Sequence, residues 1–260
     1  IVGVGLRGVG CFGELLRARQ ECEIMALCDR NEFRCRLAAK KLAVMRCYVD
    51  IAEMLKNESL DAIVITSPDY LHEEHAVAAL NAGINVLLDK PLATSVKGCR
   101  HIIDAAERSG KIAMMGFNLR HHAVLKKLKN IIDSGMLGRV FLMENREFYD
   151  GGRTYMARWN RKREFCGGLW IHKGSHDFDV YNWLLGFPRP VKVSAFAGIS
   201  VLNQNNLPFE PEPGLVPGPT CRKCVYAGIC PDFYTYDGEE WSDKARAFDG
   251  YDKDLCIYTS

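Results

Sequence analysis

The first 117 residues alternate short apolar runs with longer segments whose apolar residues recur at helical spacing. The apolar runs, at 1–5, 23–29, 61–66, 84–89 and 111–117, predict strands that are buried on both faces. The segments between them, roughly 8–20, 31–42, 70–82 and 95–109, predict helices. Strands that alternate with helices in this way predict a doubly wound parallel sheet.

The pattern changes after Phe117. Residues 120–134 predict a helix that stops at Gly135, whereas 139–150 and 190–198 alternate as strands do. Residues 203–220 contain five of the ten prolines and predict a long irregular segment. We therefore expect an α/β domain at 1–117 and an α+β domain with an open, largely antiparallel sheet at 118–260.

Composition and charge exclude several classes of protein. The chain of 260 residues is 48% hydrophobic and 25% charged, as in ordinary globular proteins. Its net charge of +2 comes without a basic block, so we expect neither nucleic acid nor membrane as a partner. The 11 cysteines, an odd number scattered along the chain, favour reduced thiols and a cytoplasmic location. Because the chain opens on IVGVG without methionine, we expect the true N-terminus to lie upstream.

The segment GVGLRG at 3–8 follows a predicted strand and opens a predicted helix. This is the context of a Rossmann dinucleotide-binding loop. Gly3 would allow the tight turn, Gly5 the approach of the pyrophosphate, and Gly8 the close packing of helix on strand. Leu6 and Arg7 belong to the same loop, where free N–H groups at the helix start favour phosphates.

Two adjacent residues bear on the choice of dinucleotide. Asp29 ends the second predicted strand, where a carboxylate accepts hydrogen bonds from the ribose hydroxyls and repels a 2′-phosphate. That favours NAD. Arg30 follows directly and would pair with the 2′-phosphate of NADP, unless it is a solvated surface charge.

Residues 66–95, TSPDYLHEEHAVAALNAGINVLLDKPLATS, resemble the glucose–fructose oxidoreductase / inositol dehydrogenase (Gfo/Idh/MocA) family. Segments 116–122 and 167–186 are similar to later segments of that family in order and spacing. The resemblance implies further contacts with the cofactor at Thr66, Ser67, Pro68, His72, Asp89 and Lys90. It also implies a cis peptide bond between Lys90 and Pro91.

The family resemblance implies a nicotinamide-dependent oxidoreductase that acts on a sugar, cyclitol or related polyol. It also implies a Rossmann domain followed by an α/β domain whose sheet forms a homodimer or homotetramer. Known members continue beyond a segment like LCIYTS, so we expect the C-terminal sheet to be incomplete. Two alternatives stay open: a glycoside-cleaving enzyme that oxidises its substrate transiently, and a nucleotide sensor without catalysis.

Alcohol oxidation needs a base for the hydroxyl proton and a positive charge near the developing alkoxide. The resemblance assigns these roles to His176 and Lys90. The residue four before His176 is usually aspartate in the family, whereas this chain has His172. If a helix continued through both histidines, they would share one face. Either histidine could then carry the proton while the other binds substrate, or the two could hold a metal.

Several polar residues are candidates for binding the substrate. Lys173 aligns with a family residue that often faces substrate. Asn118 and Arg120 either bind hydroxyls or brace the following helix, and Trp159 either lines the pocket or packs between domains. Asp179 is the nearest carboxylate on the expected face of His176, unless it is solvated or bonds to its own helix.

Four cysteines are concentrated near the C-terminal end. Cys221, Cys224 and Cys230 lie in CRKCVYAGIC, and Cys256 follows in DLCIY. The C-x2-C spacing is typical of metal ligands, and four thiolates would complete a structural zinc site or hold an iron–sulfur cluster. Four reduced, packed thiols are the alternative.

Overall fold

The computed structural model describes residues 1–149, 155–234, 249 and 254–259. The chain forms two compact units. The first contains Ile1–Gly116, Lys162–His172 and Asp237–Tyr251. The second contains Phe117–Arg161, Lys173–Tyr236 and Asp252–Ser260. The chain therefore passes from one unit to the other several times along its length.

The first unit is built on parallel strands. These are β1 (Ala26–Cys28), β2 (Arg46–Tyr48), β3 (Ala62–Ile65), β4 (Asn85–Leu88) and β5 (Ala113–Met115). β1 pairs with β2, and β4 lies between β3 and β5. Val2 makes parallel bridges to Cys28 and Ile65 and so joins the two groups. The resulting strand order is that of the predicted doubly wound sheet, which is confirmed.

The α-helices of the described residues vary widely in length. They are α1 (Glu14–Arg17), α2 (Glu32–Leu42), α3 (Ile51–Asn57), α4 (His72–Asn81), α5 (Val96–Ser109), α6 (Ala123–Asp133), α7 (Arg163–Cys166), α8 (Leu169–His172) and α9 (Ser175–Leu184). Side-chain caps fix the start of three of them: Asn31 accepts a hydrogen bond from the Arg34 N–H at 2.9 Å, Asp50 accepts one from the Glu53 N–H at 2.9 Å, and Ser95 accepts one from the Gly98 N–H at 3.0 Å. Each cap satisfies a backbone donor that has no partner inside its helix.

The start of the chain departs from the sequence prediction. The strand expected at 1–5 is reduced to the bridges of Val2, and the helix expected at 8–20 ends earlier, at Arg17. Its first part, Arg7–Gly13, forms a π-helical segment. The segment contains three glycines, which weaken a regular α-helix because they add backbone entropy to the unfolded chain. β2 and α3 were not predicted from the sequence. The sequence of β2, RCY, is not an apolar run and so does not indicate a buried strand.

The strands predicted in the second unit are wrong in the described residues. Residues 139–149 and 190–198 form no strand there, and residue 150 lies outside the described part. Both segments place large apolar side chains in solvent: Phe141, Phe148, Val191 and Phe196 are each more than nine-tenths exposed. Alternation predicts extended backbone, but a stable strand also needs a neighbour to pair with and a layer to cover its apolar face.

Candidate functional site

The glycine-rich loop is closely packed at two glycines and open at the third. Gly3 has a φ of +82°, and a Cβ there would overlap the backbone of Ser67. A Cβ on Gly8 would overlap the carbonyl oxygen of Gly3 and lie 2.7 Å from Thr66 Oγ1. At Gly5 no atom lies within 4 Å of the position of a Cβ. The open side of the loop therefore fits the close approach of a dinucleotide pyrophosphate.

Arg7 in this loop is held by the residue that precedes Lys90. Its Nε and Nη2 donate hydrogen bonds to the two carboxylate oxygens of Asp89, at 2.9 and 2.8 Å. Burial is the largest single effect and acts to raise the pKa of Asp89, but the hydrogen bonds and charge of Arg7, together with Lys90, outweigh it in sum and the pKa is lowered. The planar, two-pronged pair fixes the glycine loop to the end of β4.

Asp29 is anchored at the end of β1, as its predicted role requires. Its carboxylate accepts hydrogen bonds from the backbone N–H groups of Val4, at 3.0 Å, and Asn31, at 2.9 Å. Arg34, which the sequence did not single out, pairs with both Asp29 and Asp249. Arg30 instead donates to the Tyr70 hydroxyl at 2.9 Å. The acidic residue thus lies beside the glycine loop, while both neighbouring arginines have partners in the protein.

The segment after β3 holds the glycine loop from the other side. The Thr66 hydroxyl donates to the Gly3 carbonyl at 2.5 Å, and the Ser67 hydroxyl contacts His75 Nδ1 at 2.9 Å. His72, predicted to contact the cofactor, is only 1% exposed. Its two ring nitrogens lie 2.6 Å from the Pro91 carbonyl and 2.9 Å from the Ser67 carbonyl. His72 therefore braces the two loops from inside the fold.

Lys90, His172 and Asp69 are joined by contacts within the first unit, and we call them the Lys90–His172–Asp69 cluster. The Lys90 ammonium donates to the His172 main-chain carbonyl at 2.7 Å. The His172 ring contacts the carboxylate of Asp69, with Nδ1 and Oδ2 2.5 Å apart. Asp69 was missed in the sequence, since an acidic residue after a proline at a helix start is typical of a cap. The Lys90–Pro91 peptide bond is cis, which confirms that prediction.

His172 and His176 do not share a helix, so the prediction of one common face is wrong. α8 ends at His172 and α9 begins at Ser175. The two histidines also belong to different units. Gly174 lies between the helices, where the low helix propensity of glycine favours a break. His176, on the first turn of α9, lies edge-on to Phe117 with ring centroids 5.9 Å apart.

Two of the predicted substrate-binding residues of the second unit, Arg120 and Lys173, have protein partners of their own. Arg120 forms a two-pronged pair with Asp179, which is 7% exposed. Asp179 is therefore not solvated, because Arg120 holds both of its carboxylate oxygens. The Lys173 ammonium donates to Glu147 at 2.6 Å and lies 5.0 Å from the Tyr149 ring centroid. Asn118 and Trp159 each begin a 3-10 turn, Asn118–His121 and Trp159–Arg161.

Cys221, Cys224, Cys230 and Cys256 line one small cavity in the second unit. In the described part of the chain, however, no three His, Cys, Asp or Glu side chains are close enough together to hold a metal ion. The four cysteines therefore line the same cavity, but their side chains do not form the coordination geometry of a bound metal ion.

Two family models match the chain. One, described as an oxidoreductase family with an NAD-binding Rossmann fold, covers residues 1–117. The other, described as the C-terminal alpha/beta domain of an oxidoreductase family, covers residues 129–225. The chain belongs to the Gfo/Idh/MocA oxidoreductase family. The resemblance stated from the sequence is thereby confirmed, and with it the Rossmann fold followed by a C-terminal α/β domain.

Two curated relatives of this Gfo/Idh/MocA member have named activities. Inositol 2-dehydrogenase of Salmonella typhimurium is 30% identical over 187 residues, which is 71% of this chain. D-glucoside 3-dehydrogenase of Escherichia coli is 27% identical over 195 residues, which is 75% of this chain. The matches cover 53% and 56% of the lengths of these two relatives, so the chain spans little more than half of each.

Among solved structures, the WlbA dehydrogenase of Bordetella pertussis, in complex with NADH and UDP-GlcNAcA, is similar with a TM-score of 0.62. It is 27% identical, and the match covers 71% of this chain and 54% of WlbA.

None of the helices within the described ranges combines the length and the apolar character needed to cross a bilayer.

Proposed function

We propose that this protein is an NAD-dependent dehydrogenase that oxidises a secondary hydroxyl of a sugar, cyclitol or related polyol. The observation that carries the proposal is the Lys90–His172–Asp69 cluster, which lies in the same unit as the glycine-rich loop. The named activities of the inositol and glucoside dehydrogenases support the substrate class. Bound NAD would supply the acceptor for the hydride that leaves the substrate carbon.

His172 is the proton carrier in this proposal. The hydroxyl proton passes to Nε2 of the imidazole, because Nδ1 faces the Asp69 carboxylate. A carboxylate in that place fixes the ring orientation and stabilises the imidazolium that forms. Asp69 is 4% exposed, so water screens this interaction little. The family usually has an aspartate at the position of His172, four residues before His176. In this chain Asp69 would supply that negative charge, and it would supply it to His172.

Lys90 acts on the substrate oxygen. Its ammonium places a positive charge beside the proton carrier, and such a charge stabilises the alkoxide that develops as the hydroxyl loses its proton. The hydrogen bond to the His172 carbonyl limits where the ammonium can point. In this proposal, proton transfer and charge stabilisation would both take place beside the His172 segment.

Residues that hold NAD would surround the glycine loop. Gly5 leaves room for the pyrophosphate, and Asp29 would accept the ribose hydroxyls. We assign NAD in preference to NADP because Arg30 and Arg34 are already engaged by Tyr70, Asp29 and Asp249. A 2′-phosphate would have to displace those partners and approach the Asp29 carboxylate.

In the second unit, His176, Asn118, Lys173 and Trp159 remain our candidates for contacts with the polyol. We assign Arg120 to bracing α9, because Asp179 holds its guanidinium from two sides. Reduced thiols and the family resemblance support a cytoplasmic homo-oligomer. Light scattering of the purified protein would give its subunit number.

The test is a substrate panel followed by the absorbance of reduced nicotinamide. The panel contains inositols, free sugars, glycosides and nucleotide sugars, each with NAD or NADP. We expect NADH formation with at least one polyol and loss of that activity in Lys90→Met. Tight NAD binding without reduction by any substrate would overturn the proposal. Release of free aglycone from a glycoside with no net NADH would favour the glycoside-cleaving alternative.

A further inference from the structure

Four cysteines of the second unit surround a cavity of about 20 Å³. The proposed dehydrogenase activity uses none of them. Cys221 and Cys256 are more than nine-tenths buried, and Cys224 and Cys230 are partly buried. The remaining lining is largely apolar, including Leu207, Phe209, Pro217, Phe233 and Ile257. Four cysteines that line one largely apolar cavity are an unusual arrangement for thiols without a function.

The backbone brings the first and last cysteine together across 35 residues of sequence. Thr220 and Leu255 form an antiparallel bridge. The Cys221 N–H donates to the Asp254 carbonyl at 2.7 Å, and the Cys256 N–H donates to the Pro219 carbonyl at 2.9 Å. Cys221 and Cys256 each follow a bridged residue, so they form a diagonal pair on the same face of the bridge.

Tight turns add the other two cysteines. The Cys224 N–H donates to the Cys221 carbonyl at 3.2 Å, which closes the C-x2-C segment into a turn. The Cys230 N–H donates to the Tyr226 carbonyl at 3.0 Å and closes the next turn. These two turns return the chain to the same cavity, because Cys224 and Cys230 both line it.

A backbone N–H group points at one of the sulfur atoms. Gly218 donates to Cys224 Sγ at 3.4 Å. A neutral thiol is a weak acceptor, whereas a thiolate gains more from such a donor. The Gly218 N–H would therefore stabilise Cys224 more strongly once its sulfur carries negative charge.

We propose that Cys221, Cys224, Cys230 and Cys256 bind a single zinc ion as four thiolates. Each thiol releases one proton as its sulfur bonds to the metal, so four protons leave and no electron is transferred. A guest the size of a water molecule needs roughly 10–15 Å³ of such volume. A cavity of about 20 Å³ therefore suits one ion better than an iron–sulfur cluster.

The thiols must turn inward to reach the ion. Among the described residues no three suitable side chains already meet in a coordination geometry. Zn–S bonds are about 2.3 Å long, and four of them require the sulfur atoms to converge on one point. Rotation about the Cα–Cβ bond re-aims a cysteine sulfur without moving the backbone, so metal binding by such rotations would leave the two turns and the bridge in place.

A structural metal would stabilise a region that has little regular secondary structure and a small apolar core. Residues 203–234 contain two short 3-10 turns, Gln204–Asn206 and Cys221–Lys223, and no α-helix. The buried apolar cluster nearby is small and includes Ala157, Cys256, Ile257 and Tyr258. Metal bonds to ligands distant in sequence supply folding free energy that such a small core cannot.

The experiment measures metal content of the purified protein, without chelator, by elemental mass spectrometry. We expect about one zinc per chain, released when a mercurial reagent blocks the thiols. Cys221→Ser and Cys256→Ser should each lower zinc content roughly tenfold or more, while the exposed Cys22→Ser keeps it. Should the two variants fail to fold, the parent protein decides: stripping its zinc with a chelator should lower its melting temperature, and added zinc should restore it.

Three results would overturn the proposal. The first is a parent protein without zinc after purification and after incubation with zinc under reducing conditions. The second is iron in place of zinc. The third is a mass two hydrogens lighter for each pair among these cysteines, which would show disulfides. None of these measurements depends on dehydrogenase activity, so failure here leaves the proposed function untouched.

Discussion

The carboxylate of Asp69 lies 2.5 Å from Nδ1 of His172, across 103 residues of sequence. We propose that this contact makes an acid–base pair of Asp69 and a histidine that departs from the family pattern. The nearby hydrogen bond from Lys90 to the His172 carbonyl places a cation at the same point.

Replacing Asp69 by asparagine should lower kcat by about 10²–10⁴-fold, the range that general acid–base catalysis contributes. The amide keeps the size of the side chain but cannot stabilise an imidazolium. NAD affinity should change little, because Asp69 does not belong to the glycine loop. Steady-state kinetics and cofactor titration of the same preparation check both parts. A variant with wild-type kcat would show that Asp69 only positions the α8 segment.

Two glycine variants should separate folding from cofactor binding. Gly8→Ala places a Cβ against the Gly3 carbonyl oxygen, so it should lower the melting temperature. Gly5→Ala meets no atom within 4 Å and should melt like the parent. It should nevertheless bind NAD at least tenfold more weakly, because the methyl group points where the pyrophosphate approaches. Thermal melts and fluorescence titrations distinguish the two, and equal NAD affinity in Gly5→Ala and the parent would contradict this placement.

Asp29→Asn should reduce the preference for NAD over NADP by roughly ten- to a hundredfold. The change removes the negative charge that repels a 2′-phosphate and leaves an oxygen to accept the N–H of Val4. Arg30→Ala is the control, and its preference should stay close to that of the parent because Arg30 contacts Tyr70. A larger effect in Arg30→Ala than in Asp29→Asn would mean that Arg30 reads the ribose.

His75 should make the fold sensitive to acid. Burial, together with the neighbouring His72, lowers the pKa of His75 from 6.5 to about 4. Because the unfolded chain binds this proton more tightly, the stabilisation is present above about pH 6.5 and is lost as pH falls toward 4. The loss is on the order of 3 kcal/mol at the lower end.

The matched variant is His75→Gln, which cannot titrate. Its free energy of unfolding, from urea melts across this pH range, should fall less steeply than that of the parent. Parallel pH profiles for the two proteins would show that another group causes the acid sensitivity.

Most of the Rossmann domain could be predicted from the sequence because its signals are local. Apolar runs mark the buried strands, and GVGLRG places the cofactor loop within six residues. The exceptions are short: β2 is three residues long and largely exposed, so it leaves no apolar run. The three glycines of Arg7–Gly13 shortened the first helix, and apolar spacing alone does not show that.

The candidate site could be predicted only in part, because tertiary contacts decide it. Lys90 and His172 were found by resemblance, but Asp69 joins them through a contact that no local pattern encodes. The spacing of His172 and His176 predicted one helix, whereas Gly174 separates two. In 139–149 the alternation of apolar residues was visible, but strand formation depends on pairing partners that spacing does not provide.

The central claim is that His172, and not His176, carries the proton during polyol oxidation. The most direct test compares single-turnover NADH formation in His172→Asn and His176→Asn at saturating NAD and substrate. We predict that His172→Asn lowers the rate of the hydride step by about 10²–10⁴-fold, whereas His176→Asn mainly raises the substrate concentration needed for half-saturation. The opposite pattern, with the hydride step lost in His176→Asn and retained in His172→Asn, would contradict the account.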